Sequence, residues 1–172
     1  MILDSHALIV CHAGEGLGLG HLSRCLVIAR GLKQELGWTC TLLIQGSPVV
    51  KTGLESFEHV FVAPDADLLA ACEKHLNKGT VKSPQVGSAL ILDLHPRLVP
   101  AGLAEFLVEQ QDSVLRIAID GLFSLHQHLD CLVVPSFQIS ASVKRLLEDC
   151  PPGKLLFRSE EHTSELQSRQ YL

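Results

Sequence analysis

The chain has 172 residues, and its 14 lysines and arginines are outnumbered by 19 aspartates and glutamates, which gives a formal net charge of −5. This acidic balance argues against a nucleic-acid-binding protein, which usually carries a basic surface. No apolar run approaches the roughly 20 residues that a membrane-crossing helix needs, and no basic segment precedes the first apolar run as it does in a signal peptide. We therefore expect no nucleic-acid partner, no transmembrane segment and a cytoplasmic location.

Short aliphatic runs alternate with segments of helical periodicity along the chain. In the first helical segment, Leu22, Cys25, Leu26 and Ala29 recur at the spacing of a buried helical stripe, and Ser140 is a candidate N-cap for the last helix. The pattern predicts strands at residues 7–11, 39–44, 59–62, 89–92, 114–119 and 131–134, and helices at residues 21–36, 49–57, 66–76, 100–111 and 140–150. Such alternation predicts an α/β fold, with a Rossmann-like, mostly parallel sheet and helices on both faces.

The final segment, residues 158–172, does not fit this pattern. Its sequence RSEEHTSELQSRQYL reads as the in-frame translation of a widely used sequencing-library adapter, and segments of this kind are excluded from fold reasoning. We therefore predict one domain over residues 1–157, followed by a non-native tail with few contacts. The domain is then expected to be the N-terminal part of a longer protein.

The six cysteines lie far apart in the sequence, without a Cys-x-x-Cys pair. In a chain without a secretion signal this predicts reduced, mostly buried thiols. Cys25 continues the apolar helical stripe, so we interpret it as a core residue rather than a nucleophile. His126, His128 and Asp130 lie close together in sequence but lack the partner set of a metal site, so a solvated loop is expected there and no metal is predicted.

A glycine-rich segment, from Gly14 to Gly20, connects the first strand to the first helix. Glycines allow tight turning and close backbone approach to a ligand, and free N–H groups at a helix start favour anions. The spacing departs from the dinucleotide-binding GxGxxG pattern because the third glycine would fall at Leu19. The second strand ends at Gln45 rather than at an acidic ribose-binding residue. A nicotinamide cofactor is therefore disfavoured, and no cofactor is predicted.

The helix start carries a more specific similarity. The segment GLGHLSRCLVIA, from Gly18 to Ala29, resembles the GxGHxxRCLxLA motif of a family of nucleotide-sugar hydrolases. That family removes UDP from a diacetamido-trideoxy-altrose in pseudaminic acid biosynthesis and is similar to the GT-B glycosyltransferases. Weaker similarity extends over most of Ala7 to Pro135. The chain differs before the glycines, where the family usually has Arg and Asp and this chain has Cys11 to Glu15.

The resemblance implies the N-terminal half of a GT-B fold in an enzyme that acts on a nucleotide-activated sugar. The attack would occur at a glycosyl or phosphoryl centre, by water in a hydrolase or by an acceptor hydroxyl in a glycosyltransferase. In GT-B enzymes the nucleotide is bound mainly by the C-terminal domain, so the missing C-terminal domain of the same chain is an expected partner. The fragment alone is expected to be inactive and to bind the UDP-sugar weakly.

The motif histidine, His21, is implied to be the catalytic base, a role that suits an imidazole near neutral pH. Arg24 lies one helical turn further on. It is predicted to bind a substrate phosphate or carboxylate, with pairing to Glu15 or Asp93 as the alternative. Gly18 and Gly20 are predicted to contact the substrate.

Asp93 and Asp120 follow aliphatic strands, at the edge of an open α/β sheet where ligands bind. Asp93 is predicted to orient His21 or to bind a sugar hydroxyl. His95 is predicted as a further polar contact to the substrate. Asp120 is predicted to bind substrate or to cap a turn with Gly121. The alternative for the whole chain is a non-catalytic α/β binding or regulatory domain, in which the glycine segment is only a tight turn.

Overall fold

The computed structural model describes residues 5–77, 87–134, 140–148 and 150–157, so the predicted tail at 158–172 lies outside the described residues. The strands in these ranges are β1 (His6–His12), β2 (Thr39–Gln45), β3 (Glu58–Val62), β4 (Ser88–Asp93), β5 (Leu115–Ile119), β6 (Cys131–Val134) and β7 (Leu155–Phe157). The α-helices are α1 (Gly20–Leu36), α2 (Leu68–Asn77), α3 (Leu103–Glu109) and α4 (Ala141–Leu146). No helix among the described residues combines the length and the apolar character that crossing a membrane requires.

The seven strands form one sheet in the order β3-β2-β1-β4-β5-β6-β7, and every neighbouring pair is parallel. The predicted α/β fold with a Rossmann-like parallel sheet is confirmed. From β1 the chain proceeds through β2 and β3 towards one edge, and from β4 it proceeds towards the other. Such a switch point leaves a crevice at the carboxyl ends of the strands, where open α/β sheets bind ligands. The register sets Cys11 beside Asp93 and His12 beside Gln45.

The sheet has a separate hydrophobic core on each face. On one face, α1 packs its apolar stripe against alternate residues of β1, which include Ile9 and Cys11. On the other face, Leu8 and Val10 of the same strand pack with buried residues of α2 and α3. Side chains of a strand point alternately to the two faces, so a continuous aliphatic run supplies both cores. The predicted placement of helices on both faces is confirmed.

Several element boundaries differ from the sequence-based expectation. The predicted helix at 49–57 is wrong: only Leu54–Ser56 forms a single 3-10 turn. Gly53 has a φ of 94° just before that turn, so the segment lacks a helical backbone although Leu54 and Phe57 are buried in the core. The strand β7 was not predicted, because three residues give too short an alternation to recognise.

The two later helices are shorter than expected. The helix α3 begins at Leu103 rather than at residue 100, because Gly102 has a left-handed φ of 82°. Ser140 is confirmed as the N-cap of α4, since its Oγ accepts a hydrogen bond from the amide of Val143 at 3.3 Å. That helix ends at Leu146, before the predicted end at residue 150.

Candidate functional site

The glycine-rich connection folds into a small loop at the carboxyl end of β1. Gly14 and Gly18 bond to each other through the amide of Gly14 and the carbonyl of Gly18 at 3.3 Å, and through the reverse pair at 3.0 Å. A Cβ at residue 14 would lie 2.8 Å from the amide nitrogen of Ser47, and its φ of 133° also requires glycine. The close approach of residue 14 to the loop after β2 fixes the position of the glycine loop.

Gly18 and Gly20 border open space, because a Cβ built on either residue would have no atom within 4 Å. The helix α1 begins at Gly20, and its N-cap residue Leu19 provides no side-chain hydrogen bond. The first N–H groups of the helix therefore have no side-chain cap at the N-cap position. Open backbone with free donors at a helix start suits an anionic or strongly polar ligand.

His21 and Asp93 form the shortest contact between side chains in this region. Nδ1 of His21 lies 2.6 Å from Oδ1 of Asp93, with the histidine side chain 17% exposed and the aspartate 0% exposed. An ionised carboxylate only accepts hydrogen bonds, so Nδ1 carries the proton and donates it. The other ring nitrogen, Nε2, makes no hydrogen bond within the described part of the chain. The buried carboxylate thus fixes the ring orientation and leaves Nε2 with its lone pair.

Arg24 binds the same carboxylate through two of its nitrogens. Nε donates to Oδ2 of Asp93 at 2.9 Å, and Nη2 donates to Oδ1 at 2.8 Å. Nη2 also lies 3.1 Å from Nδ1 of His21, because both groups are donors directed at the same oxygen. The structure therefore contains the pairing with Asp93 that was the alternative for Arg24, rather than a pairing with Glu15. Contact of Arg24 with a ligand stays a prediction.

The charges around Asp93 determine its protonation. Burial raises the pKa of Asp93, but the hydrogen bonds from His21 and Arg24 oppose it, and the net pKa lies below the ordinary value. The hydrogen bond to Asp93 raises the pKa of Arg24 despite partial burial. At neutral pH the site therefore contains a carboxylate and a guanidinium, whose charges compensate each other next to the imidazole.

Asp120 completes the polar cluster at the end of β5. Its Oδ2 lies 3.6 Å from Nη1 of Arg24, and its side chain is 43% exposed. The residue has a φ of 58°, and its Oδ1 accepts a hydrogen bond from the amide of Gly121 at 2.9 Å. The predicted turn cap with Gly121 is confirmed. Its exposed carboxylate also faces the same space as Arg24, so binding of substrate stays a prediction.

His95 lies beside His21, with ring centroids 6.1 Å apart and the rings inclined by 71°. Its backbone amide donates a hydrogen bond to Nδ1 of His12 at 2.9 Å. His12 ends β1 and is 1% exposed, and no role was predicted for it from the sequence. A polar residue that closes an otherwise aliphatic strand is a signal that could have identified it.

The cysteine and the histidine predictions outside the cluster have different outcomes. Cys25 is fully buried in the core beneath α1, and a hydrogen bond with Cys11 together with burial raises the pKa of its thiol, so its prediction as a core residue is confirmed. The expected solvated loop is wrong for His126, which is 6% exposed in the 3-10 segment Phe123–His128. Within the described ranges no three His, Cys, Asp or Glu side chains are arranged to hold a metal ion.

The predicted site residues from three separate segments therefore meet at one edge of the sheet. The cluster contains His21, Arg24, Asp93, His95 and Asp120, and the open glycines Gly18 and Gly20 border it. A scan against protein-family models finds no family that matches the chain, and a search of curated proteins finds none with significant similarity. A function must consequently be inferred from the geometry of this cluster and from the helix-start motif.

Proposed function

We propose that the chain carries the base-bearing domain of an enzyme that processes a nucleotide-activated sugar, as the N-terminal half of a GT-B-type protein. In the proposed hydrolysis, Nε2 of His21 takes a proton from water while the water oxygen bonds to the anomeric carbon of the sugar. The bond between that carbon and the phosphate oxygen breaks, and UDP leaves with the electron pair. In a glycosyltransferase, the hydroxyl of an acceptor takes the place of water.

The observation that carries this proposal is the 2.6 Å hydrogen bond between His21 Nδ1 and Asp93 Oδ1. A general base needs a free lone pair, a fixed orientation and a nearby negative charge that stabilises the positive charge it gains with the proton. The proton on Nδ1 leaves the lone pair on Nε2, the buried carboxylate holds the ring, and its charge stabilises the imidazolium. The same arrangement of a carboxylate behind a histidine supports base catalysis on unrelated folds.

Arg24 has a defined part in the proposed site. Its two hydrogen bonds keep Asp93 ionised inside the protein, since an unpaired buried carboxylate would tend to take up a proton. A protonated Asp93 could no longer compensate an imidazolium at His21. Arg24 therefore acts through Asp93, while its 36% exposed guanidinium still has access to a ligand phosphate.

The open glycines support the nucleotide-sugar part of the proposal. Gly18 leaves open space beside His21, and the uncapped start of α1 at Gly20 offers backbone donors there. Such donors favour a phosphate or a sugar hydroxyl. The motif that surrounds them resembles that of nucleotide-sugar hydrolases. On this proposal the nucleotide itself is bound mainly by a second α/β domain that continues the chain.

The non-catalytic alternative is a binding or regulatory domain in which Arg24 and Asp93 only stabilise the fold. The bidentate pair is the observation that favours it, since Arg–carboxylate pairs of this geometry also occur as structural links. The two functions differ in the expected effect of replacing His21. If His21 is only structural, a replacement that leaves the fold intact does not change the rate of bond cleavage.

The test is UDP release from UDP-sugars by the protein with its reading frame continued beyond residue 157. His21→Gln keeps a polar side chain but removes the base, and we expect kcat to fall by about 10²- to 10⁴-fold with little change in KM. His59→Gln is the matched control, because His59 is an exposed histidine on β3 whose ring bonds the carbonyl of Phe57 and lies edge-on to Phe61. An unchanged kcat in His21→Gln would remove the catalytic assignment and favour the non-catalytic alternative.

The proposed second domain is tested separately by calorimetry on residues 1–157. We expect weak UDP binding, because the proposed site on this domain contacts the sugar and the phosphates but not the uracil of the nucleotide. Tight binding of UDP by this segment would contradict the assignment of the nucleotide to another domain.

A further inference from the structure

His12 is a buried histidine with both ring nitrogens bonded. Nδ1 accepts a hydrogen bond from the backbone amide of His95 at 2.9 Å, and Nε2 lies 3.1 Å from Oε1 of Gln45. A backbone amide can only donate, so Nδ1 is unprotonated and the ring proton is on Nε2. The two bonds together define a single neutral tautomer.

Gln45 is itself held in one orientation. Its Nε2 lies 3.4, 3.4 and 3.0 Å from the carbonyls of Ala63, Pro64 and Ala66, which follow β3. Three carbonyls accept only from the amide nitrogen, so Oε1 of Gln45 is directed at His12. A chain of hydrogen bonds therefore runs across the carboxyl ends of β3, β2, β1 and β4, and it ends on the backbone of residue 95.

The end of this chain holds the backbone of His95, whose ring also accepts a hydrogen bond from the amide of Arg97 at 3.3 Å. His95 follows β4 by two residues and starts the 3-10 turn Pro96–Leu98 with an extended backbone. Its ring stands edge-on to the ring of His21 at a centroid distance of 6.1 Å. The bond to His12 is the hydrogen bond that the His95 amide makes inside the protein, so it anchors this part of the loop after β4.

We propose that His12 is a positioning residue, which holds His95 beside the candidate base His21 by accepting the hydrogen bond of the residue 95 backbone amide. The consequence for catalysis rests on the proposed function, whereas the anchoring of the loop does not. His12 touches no reacting group; it acts through His95.

The electrostatic surroundings keep His12 in this role. Burial is the main factor that lowers the pKa of His12, and the neighbouring His21 and His95 lower it further. The hydrogen bond with Gln45 and the charge of Asp93 raise it, but the net pKa lies below the ordinary value. His12 is therefore neutral at neutral pH, and Nδ1 stays available as an acceptor.

Two substitutions separate the two bonds of His12. In His12→Asn, Oδ1 takes the place of Nδ1 and still accepts from the His95 amide, while the bond to Gln45 is lost. In His12→Gln, the longer side chain reaches the place of Nε2 and still bonds Gln45, while the acceptor for His95 is lost. His6→Gln is the matched control: His6 begins the same strand and bonds Thr41 on β2 through its own Nε2 at 2.9 Å.

The first measurement is amide hydrogen exchange of residue 95 by NMR on the 172-residue chain, without ligand. We expect exchange about tenfold faster in His12→Gln, in keeping with the loss of one buried hydrogen bond, and close to the original rate in His12→Asn and His6→Gln. Equal protection of residue 95 in all variants, or faster exchange in His12→Asn than in His12→Gln, would overturn the anchoring role.

The second measurement is UDP release by the protein with its frame continued. We expect kcat to fall about tenfold in His12→Gln, as misplacement of a site residue does, and to be restored in His12→Asn. A loss of protection at residue 95 without any fall in kcat would overturn the catalytic consequence of the positioning. If the unsubstituted protein shows no activity, the proposed function fails, while the exchange measurement still decides whether His12 anchors His95.

Discussion

Two bidentate arginine–aspartate pairs connect the elements of this fold, and their burial is reversed. At the carboxyl edge, Asp93 is 0% exposed and Arg24 is 36% exposed. At the opposite edge, where β5 and β6 begin, Arg116 is 10% exposed and Asp130 is 32% exposed. The first pair has a carboxylate inside the protein, and the second has a guanidinium there.

The two pairs also use their remaining hydrogen bonds differently. Asp93 accepts a third bond from His21, whereas Asp130 accepts from the backbone amide of Arg116 at 2.8 Å. Nη1 of Arg116 donates to the carbonyl of Leu107 at 3.0 Å. The second pair is thus directed at the backbone and joins β5, β6 and α3. The first pair is directed at an imidazole with a free nitrogen, which distinguishes a candidate site from a structural link.

The largest expected loss of stability follows from removing one partner of the first pair, Arg24 and Asp93. Arg24→Met leaves a buried carboxylate with only His21 as a partner, so we expect the free energy of unfolding to fall by about 3 kcal/mol. Asp93→Asn leaves a partly exposed guanidinium that water and Asp120 can solvate, so the loss is about 1 kcal/mol. Urea unfolding of the two variants measures both values. A larger loss of stability in Asp93→Asn than in Arg24→Met would contradict the idea that the buried partner decides the cost.

In the second pair we expect smaller losses of stability, and here the replacement of the aspartate should cost more than that of the arginine. Asp130→Asn leaves the buried guanidinium of Arg116 without its counter-charge, and we expect a loss of about 2 kcal/mol. Arg116→Met leaves a carboxylate with access to water, with an expected loss of about 1 kcal/mol. The same urea titrations provide the measurement. If the order matches that of the first pair, burial is not what decides the cost of breaking these pairs.

The smallest effect is the response to acid and salt. The hydrogen bond from Arg116 lowers the pKa of Asp130 despite some burial, and the pKa of Asp93 is also lowered. A lowered folded pKa contributes stability above the unfolded value of about 3.9, and this stability is lost as the pH falls through the folded pKa. Both pairs should therefore weaken only in acid, below the ordinary aspartate range.

Salt should separate the two pairs in the same titration. At 1 M salt the screening length is about 3 Å, and exposed pairs are screened far more than buried ones. We expect added NaCl to raise the pKa of Asp130 towards its ordinary value and to leave that of Asp93 nearly unchanged. Carboxyl ¹³C chemical shifts followed against pH give both values. Equal salt shifts would show that Asp93 is as accessible to ions as Asp130.

Much of the fold and part of the candidate site follow from local sequence pattern. Aliphatic runs and a helical stripe at Leu22, Cys25 and Leu26 predict a layered α/β fold. Short continuous apolar runs are typical of buried strands, and a spacing of three and four residues is typical of one buried helix face. The turn cap at Asp120 and the N-cap at Ser140 follow from local chemistry in the same way. The wrong helix at 49–57 shows the limit of this reasoning, since Leu54 and Phe57 are buried although the left-handed φ of Gly53 interrupts the helical backbone.

The partners of the site residues could not be predicted with the same certainty. Arg24 had Glu15, Asp93 or a ligand as candidate partners, and helical spacing does not distinguish them. His12 received no role because its two partners, Gln45 and His95, are distant in sequence. Their contact depends on the register of β1 with β2 and on the path of the chain after β4.

The sequence by itself determined which residues are polar at strand ends and helix starts, and therefore that His21 and Asp93 are candidates for one site. The tertiary structure decided that β1 lies between β2 and β4, which brings His21 and Asp93 to within 2.6 Å. It also decided which ring nitrogen of His21 stays free and which atom of His12 accepts from His95. The reason is that hydrogen bonds depend on distances of a few tenths of an ångström, which strand order and register set and which no periodicity in the sequence encodes.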